Sequence, residues 1–360
     1  MIFRTSTNAA RWLAVGAMLL AVPSLAQNDV DAPDADADDR ATRPALLAPL
    51  ASESLLLDIT AANDRAIVVG ERGHILVSES RSDWRQVPSP TQSLLTAADA
   101  VGNQVWAVGH DQMILHSADG GLTWSMQHHD TGSDGPLLDV LFLDAQRGFA
   151  IGAYGQFLST TDGGVSWQIE LISDRTQEPT EETGESDDAA ESDEEDSWLV
   201  STDMGEEFGD PHLNAMVRTP TGLMILAEAG SAYRSTDDGA SWLKLSLPYE
   251  GSMFGAIALD DGAVLAFGLR GNVFRSADLG ESWEALDSGT ESSLFGGFAL
   301  KGGRAILVGA GGTVALAPAG AEQLRLLSFP EGGSMTAVLA ISDVQFVIAG
   351  ENGIQSYQPN

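Results

Sequence analysis

The chain has 360 residues, no cysteine and 39 glycines, and its 18 basic and 52 acidic side chains give a formal charge of −34. That balance leaves too little positive charge to grip a phosphate backbone, and the missing thiols exclude disulfide, zinc-thiolate and thiol-redox chemistry. With 43% hydrophobic residues the chain can bury a sizeable core, so the acid must be concentrated in particular segments.

At the start, Arg4 and Arg11 precede an apolar run over residues 12–22, and Ser24, Leu25 and Ala26 form a small-x-small pattern. These are the marks of a signal peptide over residues 1–26, cleaved after Ala26 so that the mature chain begins at Gln27. The run is too short to cross a bilayer and ends at Pro23, and no cysteine follows to carry a lipid. A periplasmic or secreted protein without a membrane span is expected. Residues 27–43 hold six aspartates against Arg40 and Arg43, a composition that reads as a disordered acidic linker. Within it, Asp34, Asp36, Asp38 and Asp39 mimic part of a calcium loop but lack its central glycine and terminal glutamate.

From residue 44 onward one unit recurs: an apolar strand, a second strand ending in glycine, a tight turn, a third strand, then an acidic turn closed by tryptophan. The tight turns begin at Gly70, Gly109, Gly152, Ala227, Gly268, Gly309 and Gly350, with spacings of 39, 43, 75, 41, 41 and 41 residues. The 75 is one period plus an insertion of about 32–34 residues, giving seven units. Units of this length with four short strands and glycine turns predict an all-β fold, a seven-bladed β-propeller of four-stranded blades over residues 44–360. The last unit stops after its third strand, and residues 45–50 stand where a preceding blade's fourth strand would end. The ring is therefore expected to be closed by an N-terminal strand, which removes two open edges.

The third strand leads into the pattern Ser/Thr-x-Asp-x-Gly-x-x-Trp. It occurs in register four times, through Asp119 and Trp124, Asp162 and Trp167, Asp237 and Trp242, and Asp278 and Trp283. An aspartate in a turn accepts amide hydrogen bonds, glycine supplies positive φ and tryptophan covers the turn, so the pattern reads as a structural device. A catalytic acid need occur only once. No metal is expected there, because no further ligand cluster accompanies the aspartates.

The insertion between units three and four holds the second acidic tract, residues 174–196, with twelve acids against Arg175. It is expected as a disordered insertion over about 174–205. Trp198, Leu199 and Phe208 beside the charge run are candidates for a segment that orders on a basic partner.

The spaced acidic boxes, the segment Gly152-Ala-Tyr-Gly155 followed by Thr160-Thr-Asp-Gly-Gly-Val-Ser-Trp167, and the seven-unit count resemble the BNR/Asp-box propellers. More closely, they resemble the photosystem II stability/assembly factor family, whose exported seven-bladed propellers chaperone a membrane reaction-centre protein. The resemblance covers residues 44–360 and implies a YVTN/WD40-like repeat fold, a client that is an envelope or membrane protein, and an arginine-bearing face that holds it. The slot before the second glycine of each turn carries Arg72 and Arg270, with Asp111, Tyr154, Ala229, Gly311 and Asn352 in the other blades. Arg72, Arg270 and Tyr154 are thus the candidate client-binding residues. Arg234 and Arg275, each preceding a box serine, read instead as packing partners for acidic turns.

Asp-box propellers also include sialidase-like glycoside hydrolases. The resemblance implies that such a site needs converging arginines, a tyrosine with a glutamate partner and an aspartic acid. This chain has no Phe-Arg-Ile-Pro segment and seven units rather than six, so a non-enzymatic, monomeric scaffold without cofactor or metal is expected, with no nucleic acid partner. His74, His110, His116, His128, His129 and His212 show no metal spacing, and the glycine pairs at 296–297, 302–303 and 311–312 precede no helix that would cradle a phosphate.

Overall fold

The computed structural model describes residues 40–177 and 209–359, apart from 134, 321, 328, 330 and 331. The expected signal peptide, residues 27–39 of the linker, the calcium-loop-like aspartates, and Trp198, Leu199 and Phe208 lie outside the described residues.

Seven antiparallel meanders follow one another along the chain, with inner strands Leu56–Ala62, Leu95–Val101, Leu137–Phe142, Leu213–Thr219, Met253–Ala258, Leu294–Leu300 and Met335–Ser342. Each inner strand packs against the next, and that of blade 7 packs against that of blade 1, so the ring closes. This is the seven-bladed β-propeller expected from the repeat.

The second strand of each blade explains the continuous apolar runs in the sequence. Arg65–Gly70, Gln104–Gly109, Gly148–Gly152, Gly222–Ala227, Val264–Gly268, Arg304–Gly309 and Gln345–Gly350 are buried on both faces because each is sandwiched between two neighbouring blades. In blade 1, Ile67 and Val69 join Leu95, Val105 and Leu115 of blade 2, while Val68 turns the other way to meet Ala349 of blade 7. Among the described residues there are seven such clusters of buried residues, one at each blade interface. Hydrophobic burial is thus divided among interfaces, as repeat architectures require.

Blades 1–3, 5 and 6 have four strands, and blade 4 gains a fifth, Thr176–Gln177, which runs parallel to its outer strand, Trp242–Ser246. Among the described residues the seventh sheet has three strands. Residues 45–50, expected as its fourth, form no ladder with Gly353–Tyr357. They lie instead along the outer strand of blade 1: the Ala48 amide donates to Gln86 Oε1 at 2.7 Å, and Gln86 Nε2 donates to the Leu46 carbonyl at 2.9 Å. The chain then seats the short turn Ala51–Glu53 between blades 7 and 1, with Ala51 buried beside Leu56 and Ala349. Ring closure therefore draws on side-chain packing and on hydrogen bonds across this interface, among them Thr336 Oγ1 to the Leu56 carbonyl (2.8 Å) and Arg81 Nη1 to the Ala340 carbonyl (2.9 Å).

Two boundaries also move. Ala41, assigned from composition to the linker, is fully buried in the interface of blades 1 and 2, and the Arg40 carbonyl accepts the Gln92 amide at 2.9 Å. Asp174 and Arg175, assigned to the acidic insertion, belong to the short helix Ile172–Arg175, pinned by the buried Ile172.

Candidate functional site

Because each blade is a meander, turns between the first and second strands and between the third and fourth lie on one face of the ring. Turns between the second and third strands lie on the other, together with the connectors to the next blade. The acidic boxes occupy the first face. The slot residues occupy the second, called here the slot face.

On the box face the carboxylates are consumed by their own turns. Asp119 Oδ1 accepts from Ser117 Oγ (2.8 Å) and from the Leu122 and Thr123 amides, and its Oδ2 accepts from Thr123 Oγ1 (2.7 Å). Asp162, Asp237 and Asp278 repeat the arrangement with Ser166, Ser241 and Ser282. Hydrogen bonds from the hydroxyl and amide of Ser166 hold the Asp162 carboxyl down to about 2, and those from Ser282 do the same for Asp278. This hydroxyl residue is a fifth fixed position of the motif, beyond the four that the sequence pattern names. Its signal was legible, because Thr123, Ser166, Ser241 and Ser282 each stand immediately before the box tryptophan.

Each box is also gripped by the preceding blade. Arg65 Nη1 donates to the Asp119 and Gly120 carbonyls, Trp106 Nε1 donates to the Gly163 carbonyl, Arg147 pairs with Asp238 at 3.1 Å, and Arg234 pairs with Glu281 at 2.8 Å. Arg275 pairs within its own blade, with Asp261 at 2.5 Å.

On the slot face the tight turns share one construction. In all seven blades the amide after the second strand donates back to the residue preceding the inner strand, as in Glu71 to the Leu55 carbonyl and Leu269 to the Ser252 carbonyl, both 3.0 Å. The inner strand bulges at this point in every blade, and a Cβ on Gly109 would lie 2.0 Å from the Leu94 carbonyl. The second glycine abuts the connector: at Gly271, with φ +71°, a Cβ would meet the Thr290 carbonyl at 2.2 Å. Blade 2 substitutes Gln112, whose amide binds Ser133 of the connector at 2.6 Å.

The slot residue itself adopts left-handed backbone geometry in six blades, with φ of 55° at Arg72, 59° at Asp111, 56° at Tyr154, 51° at Ala229, 56° at Arg270 and 62° at Gly311. For a non-glycine residue this conformation costs about 1–2 kcal/mol. Arg72 and Arg270 are exposed and form no ion pair among the described residues. Tyr154 is 53% exposed, and its ring stands edge-on to His212 at 4.7 Å, which in turn lies 3.5 Å from Glu228. Asp111 is spent locally, accepting Ser93 Oγ at 2.5 Å. The structure therefore places Arg72, Tyr154 and Arg270 at equivalent tips of blades 1, 3 and 5. It shows them on one face but does not converge them on one point.

Where the inner strands meet, a cavity of about 230 Å³ is lined by all seven blades. One side carries Asp58, Asp139, Thr96 and Asn214; the other carries Phe254 and Phe295, whose rings lie 5.6 Å apart. Among its described lining residues there is no arginine, tyrosine or glutamate. The aspartates stitch neighbouring blades: Asp58 accepts the Ala98 amide (2.8 Å), Asp99 the Phe142 amide (2.7 Å) and Asp139 the Met216 amide (2.7 Å). Burial pushes the Asp58 carboxyl up to about 6 and, with the neighbouring carboxylates adding to it, that of Asp139 up to about 8; Asp99 is raised as well. Sequence reasoning missed these residues, since only three blades carry them. A signal existed in the recurrence of Leu-Leu-Asp at 56–58 and 137–139, at the same register after the bulge.

The histidines make ordinary polar contacts, as with His74 to Ser54 (3.0 Å) and His116 to Gln104 (2.7 Å), and among the described residues no three acidic or histidine side chains gather as metal ligands.

No family model and no curated protein matches the chain. Solved structures do. YCF48 bound to D1 peptide superposes with a TM-score of 0.62 at 16% identity, covering 88% of this chain and 94% of that one. YCF48 from Cyanidioschyzon merolae gives 0.63 at 16% identity over 87% and 98%, and virginiamycin B lyase from Staphylococcus aureus gives 0.66 at 10% identity over 87% and 97%. At these identities the likeness establishes the propeller fold, which carries both binding proteins and an enzyme.

Proposed function

We propose that this chain is an exported, non-enzymatic propeller scaffold that binds an envelope membrane protein through its slot face and assists that client's assembly or stability. The observation that carries this reading is the strained display of side chains at the slot tips. Blade 6 places Gly311 there without strain, yet blades 1, 3 and 5 hold Arg72, Tyr154 and Arg270 in left-handed geometry with their side chains outward. Such outliers persist where display serves a purpose. A similar fold has been solved as YCF48 bound to D1 peptide, which supports peptide recognition by a ring of this build. The channel lining, without arginine, tyrosine or glutamate among its described residues, disfavours the glycoside hydrolase.

The test is affinity isolation with crosslinking from the native envelope, comparing the wild type with Arg72→Glu/Arg270→Glu. Charge reversal at a binding face reduces client recovery about tenfold. Equal recovery by both proteins contradicts the reading, as does recovery of no protein together with turnover of a glycoside.

A further inference from the structure

The outer part of the slot face, between blades 2 and 3, holds a groove of about 560 Å³ that the arginine tips do not reach. Its floor is unusual for an exposed surface. Tyr154 is 53% exposed, Ile169 52% and Leu171 42%, so three large apolar side chains face solvent together on blade 3. Ile169 and Leu171 lie on the outer strand Gln168–Leu171 at the edge of the blade 3 sheet, and among the described residues no further strand pairs with that edge. Apolar residues gathered in this way, rimmed by polar groups, mark sites of interaction.

The rim supplies the charge. Glu170 is neutralised by Arg175 at 2.5 Å, and Arg175 is held in turn over the Phe157 ring at 5.7 Å. Asp130, on the connector between blades 2 and 3, and Asp174, on the helix Ile172–Arg175, are exposed. Their carboxylates accept local amides, Asp130 from Gly132 and Asp174 from Leu171, and neither forms an ion pair with lysine or arginine among the described residues. The groove is thus an apolar floor beside two uncompensated carboxylates.

From this complementarity we infer that the groove docks a polypeptide segment of the partner that combines apolar side chains with lysine or arginine, the apolar groups seating on Tyr154, Ile169 and Leu171 and the cation beside Asp130 and Asp174. The inference rests on the scaffold reading above and adds the chemistry of the segment recognised. It also gives the arginine tips and the groove different tasks on the same face, since Arg72 and Arg270 suit acidic groups and this groove suits basic ones. Tyr154 belongs to both, as a tip of the display and as the inner wall of the groove.

The experiment measures binding of three fluorescein-labelled dodecapeptides to the full mature chain by polarisation: one of alternating leucine and lysine, one of leucine and glutamate, and one of serine and lysine. The Leu/Lys peptide binds about tenfold more tightly than either of the others. Asp130→Lys/Asp174→Lys and Ile169→Ser/Leu171→Ser each weaken it about tenfold, whereas Glu250→Lys/Glu291→Lys, the same number of reversals on the connectors after blades 4 and 5, leaves it within about twofold. Equal loss with the control reversal, or equal binding of the serine and leucine peptides, overturns the proposal by showing only the pull of an acidic protein. Arg72→Glu/Arg270→Glu separates the two readings: loss of the envelope client with intact Leu/Lys binding upholds both. An intact groove response with no client recovered removes the scaffold reading and leaves the groove as a peptide site.

Discussion

Individual residues on the slot face are fixed by what surrounds them rather than by propensity. Gly271 and Gly311 have nearly the same left-handed φ, but a Cβ at Gly271 would strike the Thr290 carbonyl, whereas at Gly311 it meets nothing within 4 Å. Gly311→Ala therefore costs only the backbone term, about 1 kcal/mol. Gly271→Ala adds displacement of the connector and costs about 2–4 kcal/mol. Urea unfolding of the two variants checks the difference, and equal losses would show that the connector yields freely. The same comparison explains why the repeat was legible: both glycines of the turn answer to backbone collisions that recur in nearly every blade, so the sequence must repeat them. The box hydroxyls at Thr123, Ser166, Ser241 and Ser282 recur for the same reason, each supplying a bond to its aspartate.

At the scale of strands and blades, period reveals what every interface needs and conceals what one interface needs alone. Alternate burial of Ile67 and Val69 against blade 2 and of Val68 against blade 7 was implicit in the apolar runs. The missing ladder at blade 7 was not, because strand exchange and a packed N-terminal turn leave the same count of apolar residues. Nor were the inner-strand aspartates, which serve particular junctions. Asp139 joins blades 3 and 4, the junction whose covalent connector is longest, through the Met216 amide. Its carboxyl titrates near 8 in the folded ring and near the ordinary aspartate value when unfolded. The folded state thus holds the extra proton between those limits, so this contribution to stability is complete below about pH 4 and is lost as pH rises through 8. The thermal midpoint of the wild type falls between pH 5 and pH 8, and Asp139→Asn, which removes the charge while keeping an acceptor oxygen for Met216, flattens that fall. An unchanged slope in the variant would place the titration elsewhere.

For the whole molecule, the two faces of the ring divide the work. The box face is closed upon itself: the box aspartates are saturated by their own turns, and Arg65, Arg147 and Arg234 are drawn onto the box of the next blade. The slot face is open, with Arg72 and Arg270 unpaired among the described residues and with Tyr154 above an exposed apolar groove. Site-specific photo-crosslinking compares the faces most directly, with a benzophenone side chain placed at Tyr154 on the slot face or at Val165, which is 82% exposed on the box of blade 3. If the proposed envelope client binds the slot face, position 154 gives a discrete client adduct and position 165 gives none. Adducts of equal yield from both positions, or from 165 alone, would contradict the assignment of binding to the slot face.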